Sequence, residues 1–171
     1  MTHPDDMDAV EEFGVRVADV EYQLRPGGYV VLLNDAREVA IVAAQSGLFL
    51  PGGGQERDES PADAAVREAL EECGLRIRLH EFVGIADELI FGIAEAAYFR
   101  KRCSFFKASI ARRVPDAVAE HEVRWVRPPE AAQILVHGSQ RWAVRRACGL
   151  ALERTPGVSA VDRPRRPSPS G

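Results

Sequence analysis

Across residues 60–74 the apolar positions recur at helical spacing, whereas the flanking segments alternate or run apolar over strand lengths. Ser60 before Pro61, with Asp63 three residues after the cap, predicts a helix start, and Gly74 after Cys73 predicts its stop. Upstream, the pattern predicts a loose polar segment at 1–12, a half-buried strand at 14–22 and a turn at 25–28. A hairpin of 29–33 with 38–44 and a short strand at 48–50 ending in a glycine-rich turn follow. Downstream, it predicts a long strand at 75–86, an irregular connection at 87–97 and one strand or a strand pair at 98–110. A polar loop at 112–121, a strand at 122–126 and helices at 128–135 and 138–152 complete the set. Residues 155–171, rich in Pro, Arg and Ser, read as a disordered tail, leaving one domain over 13–154. Strands around a central helix, closed by two further helices, form a mixed sheet with helices packed on it, the α/β class.

The central helix carries Glu68, Glu71 and Glu72. At about 100° per residue, with Glu68 at zero, Glu72 falls near about 40° and Glu71 near about −60°. Ala62, Val66, Ala69, Leu70 and Cys73 gather on another arc, the expected buried side, so the acids are expected to face away from the core. Like charges three and four apart repel by a few tenths of a kcal/mol, and a solvated acidic face is the plain reading. The glycine-rich turn ahead of the helix changes the picture. Backbone can approach closely there, and its oxygens can join carboxylates around a hard cation that bridges to phosphate, the habit of Mg²⁺.

Composition narrows the chemistry. The 171 residues are 46% hydrophobic and 28% charged, in keeping with a soluble globular domain. No apolar run approaches the ~20 residues of a membrane span, and the acidic start lacks the basic and apolar regions of a signal peptide. Cys73, Cys103 and Cys148 show no metal-ligand spacing and read as buried thiols, so a cytoplasmic location is expected. A net charge of −4 argues against a stable nucleic-acid partner and for a small phosphorylated substrate.

The spacing Gly53-x5-Glu59-x7-Arg67-Glu68-Ala69-x-Glu71-Glu72-x-Gly74-Leu75 resembles the Nudix box of the Nudix hydrolases, with every fixed position filled. The segment Glu120-His121-Glu122-Val123-Arg124-Trp125, followed by a helix opening at proline, resembles the family's later pattern. The resemblance implies an α/β/α sandwich with a mixed β-sheet, the box forming a loop–helix–loop. It implies Mg²⁺ (with Mn²⁺ as a substitute) held by Glu68, Glu71, Glu72 and the backbone carbonyl of Gly52. Glu59 and Arg67 are expected to support the loop–helix geometry. One departure stands in the box: Asp58 occupies a turn position where the family usually carries glycine.

The implied activity is pyrophosphohydrolysis of a nucleoside diphosphate linked to another group, foremost a (deoxy)nucleoside triphosphate or related nucleotide. Dinucleoside polyphosphates, nucleotide sugars and diphosphoinositol phosphates are the alternatives, and a non-catalytic nucleotide-binding regulator is a further one. The general base is expected among Glu72, Glu71 and Glu120, with Glu122 next, then Asp87, Glu88 and Glu95. Tyr98 and Phe99 are candidates to stack on a base, and Arg100 and Arg102 to neutralise phosphate. A homodimer is compatible with the sequence. Family markers do not choose the substrate: Ile90-Phe91 stand where ADP-ribose hydrolases carry proline, and Tyr98 lies beyond the tyrosine position of dinucleoside-polyphosphate hydrolases.

Overall fold

Alternation along two neighbouring strands sets the layers. Tyr29, Val31, Val39 and Ile41 enter one core, whereas Val30, Leu32, Ala40 and Val42 enter another on the opposite face. The computed structural model describes residues 10–114 and 118–153. In chain order its elements are β1 (Glu11–Phe13), β2 (Tyr22–Leu33), β3 (Val39–Ala44), β4 (Gly47–Phe49), β5 (Gly52–Gly54), α1 (Pro61–Cys73), β6 (Leu75–Gly92), β7 (Ala97–Arg113), β8 (Glu122–Val126), α2 (Pro128–Ile134) and α3 (Gly138–Ala147). Helix α1 supplies Ala65 and Cys73 to one core. Helices α2 and α3 supply Ala131, Trp142 and Val144 to the other, with Leu135 just past the end of α2. The result is an α/β/α sandwich, and the expected fold class holds.

The sheet is mixed. β2 runs parallel to β7 from Tyr22↔Tyr98 to Leu33↔Ser109, and β6 is antiparallel to β7. β2 and β3 touch only at Leu33↔Val39, beside the turn, and then diverge. That turn is organised by Asn34, whose Oδ1 accepts the Glu38 N–H at 2.9 Å and whose C=O accepts the Arg37 N–H at 2.9 Å. β4 pairs with β3 and β5 with β2 inside the wedge between the diverging strands. The splay opens a cleft in front of α1.

Several expected boundaries move, each for a physical reason. Residues 25–28 are not a turn; they lie within β2, held by β7 on one side and β5 on the other. Gly28 is there because α1 packs on it: a side chain at this position would overlap the Pro61 carbonyl. The strand expected at 14–22 is absent, because Gly14 leaves the extended region at φ 90 and the chain turns until Tyr22. Glu11–Phe13 instead pair in parallel with β6, so residues 11 and 12 are not loose; residues 1–9 lie outside the described ones.

The connection expected at 87–97 shrinks to residues 93–96, because β6 stays paired through Gly92↔Ala97. Asp87 and Glu88 are 3% and 5% exposed, and a strand can bury them because both have partners. Arg102 donates to both oxygens of Asp87 at 3.0 and 2.9 Å, and Glu88 accepts the Ser139 N–H at 2.8 Å. Helix α3 ends at Ala147 rather than 152, where the Leu150 N–H turns back to the Arg145 carbonyl. The tail expected at 155–171 lies outside the described residues.

Candidate active site

Helix α1 forms as its sequence directs. The Ser60 hydroxyl accepts the Asp63 N–H at 3.1 Å, Asp63 accepts the Ser60 N–H at 3.1 Å, and Gly74 closes the other end. Its orientation differs from expectation. The buried residues are Ala64, Ala65, Ala69 and Cys73, whereas Val66 is 40% exposed. The buried arc is therefore rotated toward the acids: Glu68 and Glu72 point into the seam between α1 and β5, and only Glu71 lies outside it. Their side chains are 17% and 15% exposed, against 44% for Glu71. Small alanines on this side let the helix settle close to the sheet, so flanking glutamates are drawn in with it.

The seam is stitched by backbone. The Gly52 N–H donates to Glu72 Oε2 at 2.9 Å, so it is the amide of Gly52 that meets this carboxylate. Gly52 sits at φ 147, and a Cβ there would lie 2.6 Å from Tyr29 Cα, so both conformation and space require glycine. Its neighbour Gly53 leaves room for Glu68, whose carboxylate would overlap any side chain added there. Asp58 adopts φ 66 in the turn before α1, a left-handed conformation that aspartate tolerates better than most non-glycine residues.

Arg67 gathers the box. It donates to Glu59 Oε1 and Oε2 at 2.6 and 3.0 Å, and to the Gly54 carbonyl at 3.0 Å. Its Nη1 reaches Glu68 at 3.0 Å and Glu71 at 3.1 Å. Glu59 also accepts the Glu56 N–H at 2.9 Å, and these bonds hold its carboxyl below the usual range. Burial pushes Glu72 up to about 7, against the opposing Gly52 N–H, and the charges of Glu68, Glu120 and Glu71 add to the rise. Burial likewise raises Glu68.

The residues bear on a metal as follows. Among the described residues no three acidic, histidine or cysteine side chains are gathered as a finished cage. The donor set is nevertheless oxygen throughout, and beyond burial, the main cause, three neighbouring carboxylates add to the rise of Glu72, a repulsion that a hard cation relieves. Arg67 partly offsets it at Glu68 and Glu71. The residues fit a divalent cation.

The loop before β8 closes over the end of α1. The N–H groups of Glu120 and His121 donate to the Glu71 and Glu72 carbonyls at 3.1 and 3.3 Å, and His121 Nε2 stands 4.0 Å from Glu72 Oε1. Glu120 is thereby brought beside the acidic cluster, whereas Glu122 is paired with Arg124 at 2.9 Å. The resemblance at Glu120–Trp125 points this loop at the box, and the carbonyls left free at the helix end attract it.

In front of Glu72 lies a cleft of about 410 Å³, lined by Tyr29, Phe49, Gly52, Ile90, Lys101 and His137 among others, with Arg25 at one side. Tyr98, Phe99, Arg100 and Arg102 do not line it. Arg102 is held by Asp87, Arg100 lies 3.9 Å from the same carboxylate, and Phe99 is 1% exposed beneath the Arg25 guanidinium. Strand alternation sends Arg100 and Arg102 to one face and the intervening Lys101 to the other, 5.4 Å from the Tyr29 ring centre. Lys101 belongs to the basic stretch 100–102 that the sequence offers as a phosphate contact, whereas Arg25, Tyr29, Phe49 and His137 are cleft residues the sequence pattern does not single out. The parity of β7 could have identified Lys101, had the face of Phe105 been known.

Comparison with known proteins follows the same outline. The model of the NUDIX domain family matches residues 23–147. A MutT-like protein of Streptomyces ambofaciens is 34% identical over 105 residues, covering 61% of this chain and 64% of that protein, slightly under two thirds of its length. A putative 8-oxo-dGTP diphosphatase of Bacillus subtilis is 27% identical over 119 residues, covering 67% of this chain and 74% of the relative. In fold, a NUDIX hydrolase from Nitrosomonas europaea superposes with a TM-score of 0.62 at 17% identity, covering 74% of this chain and 90% of that one. With the domain matched over most of its length and the box intact, the chain belongs to the Nudix hydrolase family.

Proposed function

We propose that this chain is a Mg²⁺-dependent pyrophosphohydrolase of nucleoside diphosphates linked to a further group, with (deoxy)nucleoside triphosphates as the leading substrates. The observation that carries this reading is the adjacency of Glu72 to the cleft: one carboxylate of the acidic helix face opens directly onto a largely apolar, aromatic-lined recess. Diphosphate at the carboxylates and a flat base against Tyr29 and Phe49 suit that division. The relative named as a putative 8-oxo-dGTP diphosphatase supports a nucleotide substrate. A diphosphoinositol polyphosphate, the substrate in the names of relatives matching only 23% of the chain, would demand more cations than Lys101 and Arg25 supply in the cleft.

In this reading Glu68, Glu71 and Glu72 hold Mg²⁺, with the Gly52 carbonyl as a further ligand. A bound divalent cation supplies a lowered pKa for water and neutralises charge on the diphosphate. Arg67 and Glu59 fix the loop against the helix. Glu120 accepts the proton of the attacking water; it has no ion-pair partner among the described residues, whereas Glu122 is committed to Arg124. Lys101 places a positive charge inside the cleft.

Purified protein incubated with Mg²⁺ and a panel of nucleoside triphosphates, dinucleoside polyphosphates, nucleotide sugars and diphosphoinositol phosphates tests this. Released phosphate or pyrophosphate from the nucleotides, lost in Glu72→Gln, is expected. Absence of turnover on every diphosphate would leave a binding module instead.

A further inference from the structure

Glu88 is a buried carboxylate with no part in the chemistry above. It sits on β6 directly opposite Lys101 of β7, 5% exposed, behind the cleft wall. Its Oε2 accepts the Ser139 N–H at the start of α3 at 2.8 Å, and its Oε1 faces Nδ1 of His137 at 3.7 Å. The second contact is long for a full hydrogen bond and acts as an electrostatic guide for the ring. His137 in turn packs on Phe49, ring centres 5.2 Å apart, and lines the cleft. The segment bearing Phe49 is itself clamped by the α2–α3 link and by α3: the Val136 N–H donates to the Leu48 carbonyl at 3.1 Å, and Gln140 accepts the Leu50 N–H at 2.9 Å.

Backbone therefore fixes the ring's surroundings on both sides, and a carboxylate facing Nδ1 selects the tautomer with its proton there. The neutral ring then carries its lone pair on Nε2. Burying a carboxylate to achieve this costs free energy unless it is satisfied, and Glu88 is satisfied by the Ser139 amide.

We propose that His137 is a specificity-determining contact of the cleft, accepting a hydrogen bond through Nε2 from an N–H group of the substrate's base, and that Glu88 is the positioning residue that sets its tautomer. The inference rests on the nucleotide reading above and deepens it: the substrate's non-phosphate portion is a heteroaromatic base bearing an N–H donor.

The tests separate the two. In steady-state hydrolysis with Mg²⁺ at pH 8, His137→Phe should raise KM for the best-hydrolysed nucleotide by about 5- to 10-fold, the loss of one hydrogen bond, with kcat little changed. Glu88→Gln keeps an acceptor for the Ser139 N–H and should raise KM in the same direction by a smaller factor. With ribose 5-triphosphate, which has no base, the KM change in both variants should be smaller than with the nucleotide. Independently of turnover, ¹⁵N NMR of histidine-labelled protein at pH 8 should show His137 protonated on Nδ1, and Glu88→Gln should mix the tautomers. The α,β-methylene analogues of dGTP, dATP and dCTP, added with Mg²⁺, should shift the Nε2 resonance of His137. A His137→Phe effect confined to kcat, an unchanged tautomer in Glu88→Gln, or an Nε2 unmoved by all three analogues would each overturn the proposal. Absence of turnover with an analogue-dependent Nε2 shift would sink the hydrolase reading while upholding this one.

Discussion

Gly52 of β5 donates its amide proton to Glu72 of α1 at 2.9 Å, joining the sheet to the helix at the acidic cluster. The two neighbouring glycines guard this joint differently, which separates fold from site. Gly52→Ala should destabilise the protein by about 2 kcal/mol or more, because both its φ of 147 and the Tyr29 backbone oppose a Cβ. Gly53→Ala meets only the flexible end of Glu68, so it should shift the urea midpoint much less while weakening Mg²⁺ affinity in calorimetric titration. Equal loss of stability in both would contradict this division.

The upward shift of Glu72 to about 7 ties stability to pH. The folded protein keeps a proton that the unfolded chain releases near the ordinary carboxylate value. This contribution is fully present below about 4.5, and the metal-free protein loses it as pH rises through about 7. The loss is on the order of 3 kcal/mol. Denaturant unfolding at pH 5 and pH 8 should reveal the decline in wild type with chelator, a smaller decline in Glu72→Gln, and recovery with Mg²⁺ at pH 8. Stability that rises from pH 5 to 8 relative to Glu72→Gln would have the wrong sign.

Arg67 touches Glu68 and Glu71 with one nitrogen, supplying positive charge to these carboxylates. Arg67→Ala should lower the melting temperature, and Mg²⁺ should raise it by more in the variant than in wild type. A smaller Mg²⁺ response in the variant would show that Arg67 contributes to holding the cation rather than offsetting its absence.

The loop acids should separate kinetically. Glu120→Gln should reduce kcat by about 10²- to 10⁴-fold, the usual range for a general base, whereas Glu122→Gln should remain near wild type. Stopped or continuous phosphate-release assays distinguish them directly.

The sequence carried the helix and its chemistry more clearly than the surfaces against which they work. Ser60, Asp63 and Gly74 are local signals, and the same bonds appear in the folded helix. The strands at 29–33 and 38–44 were legible as apolar runs, but their division between two cores shows only in the structure, where successive residues enter opposite faces. Rotation of α1 was not legible, because the wheel puts Val66 in the expected buried arc and leaves Ala65 outside it. Only packing on Gly28 decides which of them is buried. For the same reason Glu68 and Glu72 looked solvent-facing. Residues 25–28 resembled a turn because Pro and Gly are turn residues, yet here they serve a strand flanked by two others. Glu88 and His137 are 49 positions apart in the numbering and meet only through the pairing of β6 and the placement of α3.

The central claim is that the acidic seam of α1 works with Mg²⁺ on a nucleoside diphosphate derivative. The most direct measurement is product release from each (deoxy)nucleoside triphosphate by wild type and Glu72→Gln, with Mg²⁺ and with chelator. Mg²⁺-dependent release of pyrophosphate or phosphate in wild type, abolished by chelator and nearly lost in Glu72→Gln, is the predicted result. Turnover that persists with chelator, or undiminished activity in a folded Glu72→Gln protein, would contradict it.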